Sequence, residues 1–476
     1  MRATLAATLI ALLTWGSAVV SSSSTAADSS PSSARTVSPS NEKIAARLTQ
    51  ALGCAGRIWP GWRAEKLHVL VIDVSAKNAI LLTGAASNSH SGRIKHEVTS
   101  VPYQVVPNQF DQSGPGFAFT SWPNLGRILA VHHSASNEAE LDRVIEITVH
   151  EGFHLTGQGG FLRPERTPVR SVQRYPEEAF ARYIRHEIMI SLSRASAGEP
   201  LDAVAYWANE LVAKRGSGTL RLIDRIEGSA EYVAALGIAI AEHGCTADDS
   251  TLAARALAHA SLKWHRWLTD PIRPNEVTEA VVIGLYAGLL LQNSQRGGWQ
   301  KTVQNGQSLL DLAIEGVTPV PQEINNELLG RIEAIVAARN AETRSHVDAL
   351  NESLRSPHHV VMSIPAVRIG PAVGPQGIFS YVGDQGKNVE IIPKIRAAPL
   401  LGSQGGTLAL RDTDVRFEAD TPCGSARQLV FPVKRESVTR RSDDRVDVAE
   451  QGIEGKDIKV VNRDREGVHW LCVAAD

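Results

Sequence analysis

A change of hydrophobic period along the chain restricts its fold more than any other feature. Before Glu138 the apolar residues come in short runs, His68 to Val74, Ala79 to Leu82 and Arg127 to Val131, broken by Gly, Pro and Asn. Such runs read as a small sheet. From Glu138 onward the apolar residues recur at helical spacing, which predicts helices over 176–195, 201–214, 220–242, 252–268, 277–292 and 322–354. Near Pro357 the helical period ends, and alternation follows over 408–417, 428–433 and 458–461. The expected fold class is α+β: a small N-terminal sheet, a large mainly helical region and a C-terminal β-rich domain, a small sandwich or barrel.

The N-terminus carries one early cation, Arg2, then a mostly apolar stretch from Ala3 to Val20, then a Ser-rich tract with Thr25-Ala26-Ala27. That order reads as a secretory signal peptide over 1–27, followed by a Ser-rich linker over 28–40 too polar to bury. Residues 41–356 are then the main domain and 357–476 the β-rich domain. The mature chain is expected to be secreted, with no stable membrane span. Lys and Arg number 49 against 51 Asp and Glu, so no global field attracts nucleic acid or anionic lipid. An even count of four cysteines in an exported chain points to disulfides, and their positions favour Cys54 with Cys245 and Cys423 with Cys472; buried free thiols are the alternative.

The sharpest local signal is His150-Glu151-Gly152-Phe153-His154, which follows apolar residues at Leu141, Val144, Ile145 and Val149 behind a Ser136-Asn137 cap. Residues four apart on a helix share a face, so both imidazoles project together and suit one metal ion, for which zinc is the expected cofactor. Glu151 is turned roughly 100° from His150, off that face but within reach of water activated by the metal, as a general base. A third histidine at the metzincin spacing is excluded, because that position is Gly160.

The motif resembles that of the gluzincins, the thermolysin and zinc-aminopeptidase group, and that resemblance implies a zincin-like catalytic domain with a glutamate from a downstream helix as third ligand. Glu227-Gly228-Ser229-Ala230-Glu231-Tyr232 resembles the aminopeptidase stretch that supplies it, and Glu178-Ala179-Phe180-Ala181-Arg182-Tyr183 is a second candidate. The glycine favours Glu227, since it lets a neighbouring backbone approach the metal helix. Glu231 is then placed to hold a ligand histidine, and Tyr232 either donates to a developing oxyanion or packs in the core. His132, His133 and His186 have no ligand spacing and read as ordinary polar residues. A looser likeness to exported bacterial HExxH proteins runs through Ile58-Trp59-Pro60-Gly61-Trp62 and Gly298-Trp299.

The expected function is therefore a secreted zinc-dependent hydrolase, a peptidase acting on peptide or protein substrates through His150, His154, Glu227 and Glu151. The alternative is a catalytically idle binding or scaffold protein that keeps a zinc helix and engages a polymer or partner through its β domain. No GxSxG nucleophile elbow, GxxxxGK[ST] phosphate loop or GxGxxG fingerprint competes. Gly157-Gln158-Gly159-Gly160 follows a helix rather than opening one, which suggests a mobile rim over the site. All proposed site residues precede Leu236, so the β-rich tail is expected to be dispensable for the chemistry.

Overall fold

Ser38 accepts a hydrogen bond from the amide of Asn41 and Pro39 sits in the first turn, so helix α1 (Pro39–Gly53) starts where the Ser-rich tract ends. The structure, a computed structural model, describes residues 37–85, 95–101, 116–134, 137–162, 172–215, 218–271, 276–294, 296–368, 378–382, 388–397 and 406–474. The expected signal peptide and most of the linker lie outside the described residues. Among the described residues no helix is long and apolar enough to cross a membrane. The fold class is α+β, as the change of period predicts.

The chain forms two compact units. In the first, whose described residues fall within 37–162 and 181–325, a five-stranded sheet follows α1 and the short α2 (Ala55–Ile58). Its strands are β1 (His68–Asp73), β2 (Asn78–Ala85), β3 (Lys95–Val101), β4 (Gly116–Trp122) and β5 (Gly126–His133). They lie in the order β3-β2-β1-β5-β4, with β1 and β5 parallel and the other pairs antiparallel. β5 leads into α3 (Glu138–Gly152), capped by Asn137 and carrying Glu138 and Glu140 in its first turn, where carboxylates offset the helix dipole.

Eight further helices complete the unit: α4 (Ala179–Ser196, from Ala181 on), α5 (Asp202–Arg215), α6 (Gly218–Ile223), α7 (Ser229–His243), α8 (Asp249–Thr269), α9 (Glu276–Asn293), α10 (Trp299–Gln304) and α11 (Leu309–Ala313). α7 is buried from Ser229 to Ala241 and packs against α1, α3, α8 and α9. A helix that is apolar all round must lie inside, and this one is the axis of the unit. Cys54, at the end of α1, is bonded to Cys245, just beyond α7, with a Cα separation of 5.8 Å.

The second unit holds β6 (Val172–Arg174), the long helix α12 (Asn326–Arg355) and strands β7 (His359–Pro365), β8 (Ile378–Val382), β9 (Asn388–Ala397), β10 (Thr407–Glu418), β11 (Gln428–Lys434), β12 (Val438–Ser442), β13 (Arg445–Glu450), β14 (Ile453–Arg465) and β15 (Val468–Val473). The first half of β10 pairs with β14 and its second half with β11. The ring β14-β15-β7-β11-β10 therefore closes into a barrel, and alternate residues such as Val360, Met362 and Ile364 fill its interior. Cys423 and Cys472 are bonded with a Cα separation of 5.2 Å, as their positions suggest.

The period change points to a boundary at Pro357, but α12 turns Val347, Leu350 and Leu354 onto the outer face of the barrel, against Val361, Ile391, Val430 and Trp470. The second unit accordingly starts at Asn326 and also takes in β6, paired with β8. Burying each such aliphatic side chain is worth about 1.5–3 kcal/mol. A chain ending at Ser356 is thus expected to aggregate through the exposed stripe of α12, whereas one ending at Asn325 stays soluble; soluble yield and size-exclusion profile compare them. Equal solubility would show that α12 does not need the barrel.

Candidate metal centre

Two helices carry the site, and each widens where it does so. α3 continues past Gly152 into a π-helical turn, Phe153–Gly157, and α6 runs through a second, Asp224–Gly228, into α7. Such turns are rare and recur at functional sites. His150 lies in the last turn of α3, His154 in the first π turn and Glu227 in the second. Their ligand atoms converge: His150 Nε2 and His154 Nε2 lie 3.1 Å apart, and Glu227 Oε2 lies 3.2 Å from the second and 3.6 Å from the first.

The remaining ring nitrogens are both engaged. His150 Nδ1 faces Glu231 Oε2 at 3.3 Å, and His154 Nδ1 donates to Gln158 Oε1 at 2.9 Å. Gln158 Nε2 in turn donates to the Ile226 carbonyl at 2.6 Å and to Ser229 Oγ at 3.1 Å, which leaves its oxygen to accept. With the proton on Nδ1 in each ring, both Nε2 atoms present lone pairs to a carboxylate oxygen. In that state all three converging atoms are acceptors that a cation would satisfy; without one, a protonated ring N–H facing Glu227 satisfies the same group.

The set fits a metal. Tetrahedral ligands at about 2.0–2.2 Å from zinc lie roughly 3.3–3.6 Å from each other, close to the spacings here. Glu227 Oε1 is buried and has no hydrogen-bond partner among the described residues. His150, His154 and Glu227 are all buried. Glu151, also buried, follows His150 on the same helix.

Burial disfavours charge on His150, yet its contacts with Glu227 and Glu231 outweigh that and raise its pKa to about 10. His154 is raised too, against burial, by Glu227. Burial pushes Glu227 up, but the two imidazoles hold it well below the usual carboxylate range. Glu151 is pushed up by burial, the direction that suits a base meant to keep a proton once it has taken one.

Close packing fixes the second π turn. A Cβ on Gly228 would stand 2.5 Å from Gly284 Cα, and one on Gly284 would stand 2.5 Å from the Asp224 carbonyl oxygen. The glycine beside Glu227 thus admits a neighbouring backbone, but it is that of α9 and not, contrary to the expectation from sequence, that of the histidine helix. α7 meets the histidine helix at Gly237, against Val149. Behind the first π turn, Phe153 packs on Trp59 and Trp62, and Trp59 on Trp299 and Tyr232.

Tyr232 belongs to that aromatic core, and its hydroxyl donates to Gln292 Oε1 at 3.0 Å, so it is a packing residue rather than an oxyanion donor. Glu178 is exposed and stands outside the group of converging ligands. Gln158, expected in a mobile rim, is 1 % exposed and orients His154. Its spacing of four from His154 was the available signal. His133 bonds Asn41 Oδ1 at 2.9 Å, away from the cluster. No protein-family model, curated protein or solved structure matches the chain.

Adding a methyl at Gly228 must push two backbones apart, so Gly228→Ala is expected to destabilise the protein by about 1–3 kcal/mol. Gly330→Ala, in open space on α12, should instead stabilise by roughly 0.5–1 kcal/mol, and thermal denaturation reads both. A second test concerns Asp224, whose Oδ2 accepts from Ser308 Oγ at 2.6 Å and the Leu310 amide at 3.1 Å. Burial raises its pKa from 3.8 to about 7. The folded state therefore holds a proton that the unfolded state releases, and this contribution to stability, complete below pH 3.8, fades as pH rises to about 7. A rise of about three in pKa is worth roughly 4 kcal/mol at most. Asp224→Asn should lose less stability than the wild type between pH 4 and 7; parallel curves would show that Asp224 does not titrate there.

Proposed function

We propose that the protein is a zinc-dependent hydrolase acting on peptide or related amide bonds, with His150, His154 and Glu227 as ligands and Glu151 as general base. The observation that carries this reading is the convergence of three buried ligand atoms, two imidazole nitrogens and a carboxylate oxygen, at 3.1–3.6 Å. Zinc at such a centre supplies Lewis acidity, which acidifies water and polarises an amide carbonyl.

The chain's own residues do the rest. Glu231 and Gln158 hold the imidazoles with Nε2 inward, and Glu227 supplies the negative charge that favours a divalent cation. Glu151 adjoins His150 without joining the ligand set, the arrangement of a base that takes a proton from attacking water and returns it to the leaving amine. Two disulfides agree with an oxidising compartment and hence with secretion. Support for the peptide class comes from the resemblance of the ligand stretch to the gluzincins.

Metal analysis of the purified chain is expected to give one zinc per molecule, lost in His150→Ala, His154→Ala and Glu227→Ala. Glu151→Gln should keep the metal and lose about 10²–10⁴-fold in hydrolysis of a peptide library. If Glu151→Gln and wild type are alike in lacking hydrolysis while both hold zinc, the chain is an idle scaffold. Zinc retained after Glu227→Ala would remove that residue from the ligand set.

A further inference from the structure

We infer that Lys263 and Trp264, neighbours on α8, are positioning residues for His150, acting through Glu231, and that Glu146 holds Lys263 in place. The inference rests on the metal-site reading above and extends it to a helix that supplies no ligand.

Glu231 uses one oxygen for His150, Oε2 at 3.3 Å from Nδ1. Its other oxygen, Oε1, accepts from Trp264 Nε1 at 3.2 Å and from the Lys263 ammonium. A carboxylate engaged at both oxygens cannot turn about its last side-chain bond, so the imidazole that leans on it cannot tilt either. Lys263 also pairs with Glu146, which lies four residues before His150 on the same helix and is buried. Beyond it, His259 of α8 stands 3.6 Å from the second Glu146 oxygen.

The Lys263 ammonium therefore bridges α3, which carries the ligand, and α7, which carries the ligand's support. Lys263 further lies against the ring of Trp264, 4.7 Å from its centroid, which limits the directions its stem can take. Packing alone asks for apolar residues where α8 meets α7. A lysine and an indole N–H aimed at one carboxylate oxygen suit instead the support of a metal ligand, whose loss typically weakens metal binding by about 10–100-fold.

The competing account is that Lys263 merely balances the charge of Glu146, and the two accounts part on metal affinity. In the full-length protein, the zinc dissociation constant is measured by competition with a chromophoric chelator, alongside the thermal midpoint of the metal-free form. Lys263→Met should weaken zinc binding by about 10–100-fold and Lys263→Arg should restore most of it. Trp264→Phe, which removes one hydrogen bond, should weaken it by about 5-fold. The double variant Glu146→Gln/Lys263→Met should bind as poorly as Lys263→Met alone.

A folded Lys263→Met that binds zinc as the wild type does, or a double variant that regains wild-type affinity, overturns the inference. If Lys263→Met does not fold, Trp264→Phe decides, and unchanged affinity in it is equally fatal. Wild-type protein without affinity for zinc sinks the metal reading and this inference with it. Zinc binding that Lys263→Met leaves untouched sinks this inference alone.

Discussion

Two imidazole nitrogens and a carboxylate oxygen cannot sit within a few ångströms of one another in a dry interior unless something positive, a proton or a cation, lies among them, and the first unit is built around that demand. Left to themselves, the imidazoles of His150 and His154 would turn a ring N–H toward Glu227 and satisfy it with protons. Gln158 and Glu231 hold the other nitrogen of each ring and so keep Nε2 turned inward, although the Glu231 carboxylate also favours the charged imidazole. The convergence thus depends on these supports as much as on the three converging residues themselves.

Around that demand the helices are spaced by what they lack. Gly228 and Gly284 let the turn bearing Glu227 lie against α9 backbone to backbone, and Gly237 lets α7 close on Val149 of the histidine helix. Where side chains are large they are aromatic and meet edge to face, as Trp59 with Trp299 and Trp62 with Phe153. Asp224 fixes the same turn from outside by accepting from the start of α11. Small residues set the distance between helices and large ones prevent sliding, so His150, His154 and Glu227 keep their mutual separation.

The helical middle, the small sheet and the alternating tail were legible because each rests on a local period. The His150–His154 pair was legible for the same reason, since four residues on a helix fix a geometry wherever the helix lies. Glu227 is legible only by resemblance, and the neighbour its glycine admits is not legible at all, because no local signal says which helix crosses at Gly228. Ser38, Pro39 and the residues Ile44, Leu48 and Leu52 mark α1, but its capping serine closes a Ser-rich tract whose composition is that of a linker. Lys263 and Trp264 stand more than a hundred residues from His150 and look like an ordinary helix face. The closure of β10 on β14, and the docking of α12 on the barrel, likewise depend on pairing partners that alternation does not name.

The two π turns have a consequence for how the chain tolerates change in length. Each places an additional residue in a helical turn, so the helix beyond it is rotated by about 100° relative to an uninterrupted one. Deleting one residue from Phe153–Gly157 would tighten that turn to ordinary helix and swing Gln158 off His154. The same deletion in Asp224–Gly228 would rotate all of α7, the most buried helix, and carry Glu231 away from His150. These stretches should therefore accept substitution at their outward positions far more readily than a single-codon deletion.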